Sequence, residues 1–178
     1  SVSFSSFLIT TDILLVFFWS LGLYQILVIR KNQSHLNFIV LGILLGLAFL
    51  SKYAAIYFVI SLIFLPFIDK SFRVIVQKHK PKILLLFLTI ILILLPNILW
   101  NYQNDWITLE HTSSNASLGK LKINPWNSIE FLVAQIVMIG PLLFIAFVYY
   151  FYKKTKINTS EQILICFALP ALVIILIE

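Results

Sequence analysis

The sequence predicts an all-α protein, a polytopic transmembrane helix bundle of about six membrane spans, and three observations carry that prediction. Of the 178 residues, 61% are hydrophobic and 11% charged, whereas soluble domains are about half apolar and about a quarter charged. The apolar residues form continuous runs of helix-spanning length. The lysines and arginines gather between those runs on alternate loops.

A span needs about 20 apolar residues, or about 17 at the short end. Ile13–Ile29 is the first such run, closed by Arg30 and Lys31. Leu36–Ile68 is interrupted only by Ser51-Lys52; it is too long for one span and just long enough for two. It reads as a hairpin, Leu36–Ser51 one way and Tyr53–Ile68 back. Ile83–Leu99 is the fourth span, Ile129–Tyr152 the fifth and Ile163–Ile177 the sixth. Backbone groups in lipid must bond within their own segment, so these runs are helices. A β-barrel would show alternating strands instead. In the second span, Gly42-xxx-Gly46 offers a neighbouring helix a close approach.

With these spans, one side receives Arg30, Lys31, Lys70, Arg73, Lys78, Lys80, Lys82, Lys153, Lys154 and Lys156, ten of the 13 cations. Lys52, Lys120 and Lys122 fall on the other. Cationic loops resist translocation, so the richer side is expected to be cytoplasmic and the membrane to be the plasma (inner) membrane. The same placement accounts for the net charge of +6 without nucleic acid, since no basic helix or nucleic-acid motif accompanies it. The single cysteine, Cys166, lies in an apolar run and offers no disulfide or metal framework.

The alternation gathers four features on the outer side: the segment before Ile13, the Ser51-Lys52 tip, a long loop from about Trp100 to Ser128, and the start of the fifth span. Asp12 reads either as a helix cap, with Thr10 and Thr11 beside it, or as a carboxylate for a metal or a substrate hydroxyl. Lys52 reads either as an anchor at the membrane interface or as a cation for a lipid-linked phosphate. Trp100, Tyr102 and Trp106 suit an interfacial aromatic belt. Their interleaving with Asn101, Asn104, Asp105, Glu110 and His111 also suits a sugar site, where rings stack on C–H faces and amides bond hydroxyls. His111 alone is ordinary for a surface loop. Gln135, inside the fifth span near Glu130, needs a polar partner there. No Walker loop, dinucleotide turn, zinc-protease or nucleophile-elbow motif is present.

Three stretches resemble the membrane glycosyltransferases of family 39, the protein mannosyltransferase-like group that includes the lipid A aminoarabinose transferases. They are Thr10-Thr11-Asp12 running into a span with Phe18-Trp19, Gly42 through Tyr53 with its terminal Ser51-Lys52, and Pro96 through Trp106 as Pro-x-x-x-Trp-Asn-x-x-x-x-Trp. Gln135 and Gly140-Pro141 follow at the expected place. The resemblance implies a GT-C fold, a polyprenyl-phosphate sugar donor, a lipid, glycan or protein acceptor, and an extracytoplasmic site, often with a divalent metal such as Mg or Mn. It implies an assisting role for Asp12, which is also a possible metal ligand, and a donor-phosphate role for Lys52. Trp100, Asn101, Asn104, Trp106, His111 and Gln135 would border the sugar or acceptor. The family's key acidic pair precedes the first span, and nothing here matches it. The chain also lacks an initiator Met and ends in an apolar run. It is therefore expected to be part of one transmembrane glycosyltransferase domain, inactive by itself. Competing readings are a transporter subunit, which would favour mid-membrane charges and internal repeats, or a structural membrane protein.

Overall fold

The computed structural model describes residues 11–115, 130, 133, 134, 136, 137, 140–153 and 158–177. Every element among them is helical. They are α1 (Thr11–Lys31), α2 (His35–Ser51), a 3₁₀ turn (Tyr53–Ala55), α3 (Ile56–Ile68), α4 (Lys70–Lys78), α5 (Lys80–Gln103), α6 (Ile107–Asn115), α7 (Pro141–Lys153) and α8 (Thr159–Ile177).

Local chemistry sets most of the boundaries. Asn32 ends α1, and the Ser34 hydroxyl accepts the Asn37 N–H at the start of α2. The chain breaks at Lys52, as the hairpin reading requires, and resumes through the 3₁₀ turn. Asp69 ends α3 and caps α4, its Oδ1 accepting the Ser71 N–H at 2.8 Å. Pro81 sits in the first turn of α5, where its missing N–H costs nothing. Before α8, the Glu161 carboxylate accepts the Asn158 N–H at 3.0 Å, the returning half of a capping box.

The core forms where α1, α2, α3, α5 and α8 meet. Gln25 donates to the Asn37 carbonyl at 3.0 Å, tying mid-α1 to the start of α2. Phe58 of α3 fills the space over Gly22, and its ring meets Trp19 at 5.0 Å and Phe167 of α8 at 4.5 Å. The glycines of α2 do admit a neighbour. A Cβ on Gly42 would lie 2.8 Å from the Leu86 carbonyl oxygen and from Thr89 Cβ, and one on Gly46 would lie 2.8 Å from Ile93. Thus α2 and α5 run side by side in the same direction, with their backbones close.

These contacts arrange the helix ends in two sets. At one end Arg30 Nε lies 3.3 Å from Asp69 Oδ2, and Lys82 Nζ reaches the Gln33 carbonyl. At the other, Lys52 reaches Asp12 and Tyr53 reaches Asn97. The described cations between Arg30 and Lys82 therefore divide as the alternating loops predict, with Lys52 opposite the rest.

Two helices, α1 and α5, are long and apolar enough to cross a membrane, about 31 and 36 Å at 1.5 Å per residue. Only 22% and 11% of their apolar windows are buried, whereas the core helix of a soluble protein would be mostly buried. Along α5, Leu84, Leu88, Ile91, Leu92, Leu95 and Leu99 are exposed, a stripe that lipid covers without cost. This is a membrane protein.

The boundaries depart from the sequence reading in three places. The fourth span is longer than Ile83–Leu99 at both ends, because no breaker follows Pro96 until Asn104. The long outer loop begins as helix: Trp100 and Asn101 lie in the last turn of α5, and His111 lies in α6. The fifth span is not one helix. Gly140 takes φ +90°, its N–H bonds the Ile136 carbonyl, and Pro141 opens α7, the usual glycine stop followed by a proline start.

Replacing Gly42 by Val puts a branched side chain against backbone. Overpacking of this kind costs about 1–3 kcal/mol. Thermal unfolding in detergent should shift down for G42V and by much less for I43V, whose side chain is exposed; equal midpoints would disprove the close α2–α5 contact.

Candidate functional site

Two polar groupings share the end of the bundle opposite Arg30. The first is an ion pair. Asp12 is the second residue of α1, one place inside the helix, and its Oδ1 lies 2.5 Å from Lys52 Nζ. Both side chains are about half exposed. Exposed pairs contribute at most about 1 kcal/mol, so this one does not hold the fold together. Asp12 also lies in the first turn of α1, where the helix dipole favours negative charge. Lys52 itself is extended, between the end of α2 and the 3₁₀ turn, and its carbonyl accepts the Ala55 N–H at 3.1 Å. The lysine thus stands beside the amino end of the 3₁₀–α3 segment, and near that of α1.

The second grouping is a hydrogen-bond network that joins the 3₁₀ turn, α5 and α6. Asn101 is buried, 2% exposed. Its amide donates to the Asn97 carbonyl at 2.9 Å and to Asn97 Oδ1 at 3.2 Å, and its Oδ1 accepts the Thr108 hydroxyl. The Tyr53 hydroxyl donates to Asn97 Oδ1 at 3.2 Å and lies 3.1 Å from Thr108 Oγ1. Because Tyr53 follows Lys52 directly, this network anchors the segment that carries the lysine.

Between α5 and α6 the chain turns sharply. Asn104 and Trp106 both donate to the Asn101 carbonyl, and Asp105 and Trp106 take φ of 51° and 58°. That left-handed conformation is uncommon for a residue as bulky as tryptophan. Asn104 turns its amide back onto the Trp100 carbonyl at 2.7 Å. Trp100 and Trp106 are 49% and 42% exposed.

Of the residues expected from sequence, the structure pairs Asp12 with Lys52 and buries Asn101. Trp100, Asn104 and Trp106 lie at the same end, but no hydrogen bond joins them to the ion pair. His111 falls in α6, and Gln135 lies outside the described residues. Thr10, the other half of the cap reading, lies outside them too. Sequence reasoning missed Tyr53, Asn97 and Thr108. The signal available for Asn97 was its spacing of four from Asn101 in an otherwise apolar stretch. Among the described residues, no three of His, Cys, Asp and Glu gather as metal ligands do; Asp12 is a lone carboxylate already neutralised by Lys52.

The model of the family described as dolichyl-phosphate-mannose-protein mannosyltransferase matches residues 2–100. The chain belongs to this family. The match takes in Asp12, Lys52, Tyr53 and Asn97, ends at Trp100, and so covers α1 through most of α5. The chain is also similar to the lipid A galacturonosyltransferase RgtD of Rhizobium johnstonii. It is 29% identical over 183 aligned residues, which cover 99% of this chain and 37% of the relative. The chain therefore spans just over a third of that relative's length. No solved structure matches it.

Asn101→Ala should lower stability by about 1–3 kcal/mol, since it removes the buried amide that bonds the Asn97 carbonyl and accepts the Thr108 hydroxyl. Tyr53→Phe, which removes one hydroxyl at the margin of the network, should cost less. Unfolding of both variants in detergent measures this, and an Asn101→Ala variant as stable as the parent would disprove the network's role.

Proposed function

We propose that this chain is part of a membrane glycosyltransferase that moves a sugar from a polyprenyl-phosphate carrier to an acceptor at the extracytoplasmic face. The carrying observation is the Asp12–Lys52 pair, which joins residues 40 positions apart at the end of the bundle remote from the other described cations up to Lys82. Family membership supports the reaction class. A lipid-anchored phosphate needs a cation at the membrane interface, and Lys52 is one, held on a rigid turn by Tyr53. Helix N-termini nearby add dipoles of the same sign.

In this reading Lys52 binds the donor phosphate and stabilises the charge that builds on it as the anomeric bond breaks. The acceptor hydroxyl attacks from the opposite face of the sugar and inverts the anomeric carbon. A carboxylate takes the hydroxyl proton. Asp12 assists by orienting that hydroxyl once phosphate draws Lys52 away from it. The exposed Trp100 and Trp106 and the Asn104 amide border the sugar or acceptor, while Asn101, buried and bonded to Asn97 and Thr108, holds this end in place instead of touching them; His111 and Gln135 are assigned to that border by the family resemblance alone. A divalent metal, Mg or Mn, would take Asp12 as one ligand and would need further carboxylates from outside the described residues. The acceptor is a lipid, glycan or protein; the relative named for lipid A favours a lipid.

The same reading gives six spans: α1, α2, the 3₁₀ turn with α3, α5, the 129–152 segment and α8. The second and third are short but within reach of a locally thinned bilayer. The membrane is the plasma (inner) membrane, and the Arg30–Asp69 end is cytoplasmic, following the cation bias.

In the full-length protein, Lys52→Ala should reduce sugar transfer from a polyprenyl-phosphate donor by about a hundredfold or more, the usual effect of removing a charge stabiliser. Lys52→Arg should retain more activity, and Asp12→Asn and Trp100→Ala should show smaller losses. Full transfer by all three of K52A, D12N and W100A would remove the assignment. Cysteines introduced at 52 and 106 should react with an impermeant reagent from one side of the membrane, and a cysteine at 70 from the other. Labelling of 52 and 106 from different sides would dismantle the site.

A further inference from the structure

The other end of the bundle carries a feature unrelated to sugar transfer. An apolar cavity of about 200 Å³ lies between α1, α2, α3, α4 and α5, lined among others by Phe38, Leu62, Ile63, Phe72, Val76 and Phe87. It is larger than a cavity of about 150 Å³ that stays dry and takes up benzene. Water has no partner among such walls, and an empty apolar void lowers stability in proportion to its volume. Ile63 lines the cavity and is also 55% exposed on the outer face of α3. The cavity can therefore be reached from the side where lipid lies.

The surroundings of the cavity are cationic. Residues 69–82 hold Lys70, Arg73, Lys78, Lys80 and Lys82 against one acid, Asp69. Asp69 is already committed, paired with Arg30 and capping α4. Helix α4 is amphipathic: Phe72 and Ile75 are buried, while Lys70, Arg73, Gln77 and Lys78 are exposed. Arg73 Nε donates to the Pro66 carbonyl at 2.9 Å and Nη2 to the Phe67 carbonyl at 3.1 Å. Pro66 is itself part of the cavity wall. The guanidinium is thus fixed beside the wall, with Nη1 and one Nη2 proton not used by those bonds. On α5, Lys80 lies three and seven positions before Ile83 and Phe87, which both line the cavity, so it stands on the same stripe of that helix.

We propose that this is a binding site for an anionic phospholipid. One acyl chain fills the cavity, and the phosphate sits on Arg73 and Lys80. An amphipathic helix with cations on its polar face binds anionic lipid in this way. The charge selects the headgroup, and the walls select the chain. The donor site at the opposite end plays no part in this.

The test uses the full-length protein in nanodiscs of phosphatidylcholine with one-fifth phosphatidylglycerol. A trace of either lipid carries a photoreactive diazirine on its acyl chain, and the labelled residues are mapped by mass spectrometry. The phosphatidylglycerol probe should label Phe72, Val76 and Phe87 several-fold more than the phosphatidylcholine probe. Lys80→Gln should narrow that difference. Ile63→Trp, which fills the cavity from an exposed position, should reduce labelling there several-fold and leave labelling of outward-facing Leu92 unchanged. An unchanged unfolding midpoint shows that these variants fold. Equal labelling by the two probes, indifference to Ile63→Trp, or displacement of the label by a polyprenyl phosphate but not by excess phosphatidylglycerol would each overturn the assignment.

Discussion

The close approach of α2 and α5 at Gly42 and Gly46 sets the register on which the rest of the site depends. Gly42 meets Leu86 and Thr89, and Gly46 meets Ile93. Continuing at that register, the end of α2 arrives beside Asn97 and Asn101, and Tyr53 finds Asn97. A larger residue at either glycine would force the two backbones apart and move the turn that carries Lys52. In lipid there is no hydrophobic drive between helices, so packing of small residues is what brings them together. A glycine pair deep in the bundle thereby controls a lysine at its surface.

Polar groups concentrate at the two ends, and the two ends use them differently. At the Arg30 end they fasten helices: Asp69 holds Arg30 and caps α4, Arg73 holds the last carbonyls of α3, and Lys82 holds the Gln33 carbonyl. At the Lys52 end, the fastening is done by neutral groups, Tyr53, Asn97, Asn101 and Thr108. The charged pair is left half exposed. A charge that is not needed to hold the structure is free to exchange its partner for a ligand phosphate. This separation of a neutral scaffold from an exposed pair leaves Lys52 available to a ligand without loss of the packing around it.

The chain belongs to the mannosyltransferase family through its first half. The family match takes in Lys52 and, from the Asn101 network, Tyr53 and Asn97, and it ends at Trp100 in the last turn of α5. The α5–α6 turn, with its left-handed Asp105 and Trp106, lies beyond that stretch.

Composition and the order of apolar runs determined that the chain is helical and membrane-bound. The spacing of cations determined which helix ends share a side, because lysine and arginine cannot rest in hydrocarbon and mark the ends of each run. The break at Lys52 followed from the same rule. Sequence could not reveal that Asp12 pairs with Lys52 or that Tyr53, Asn97 and Thr108 close around Asn101. Those contacts join residues up to 55 positions apart, and only helix packing sets which side chains meet. It could not reveal the stop at Gly140 as a break in the fifth span, since proline within a membrane helix is compatible with either a kink or an end. Nor could it show that Trp100 and Asn101 belong to α5, because the amide-to-carbonyl bonds that extend that helix exist only once the turn has formed. One-dimensional patterning records what lipid forbids; the distances at which side chains meet are decided by the three-dimensional packing.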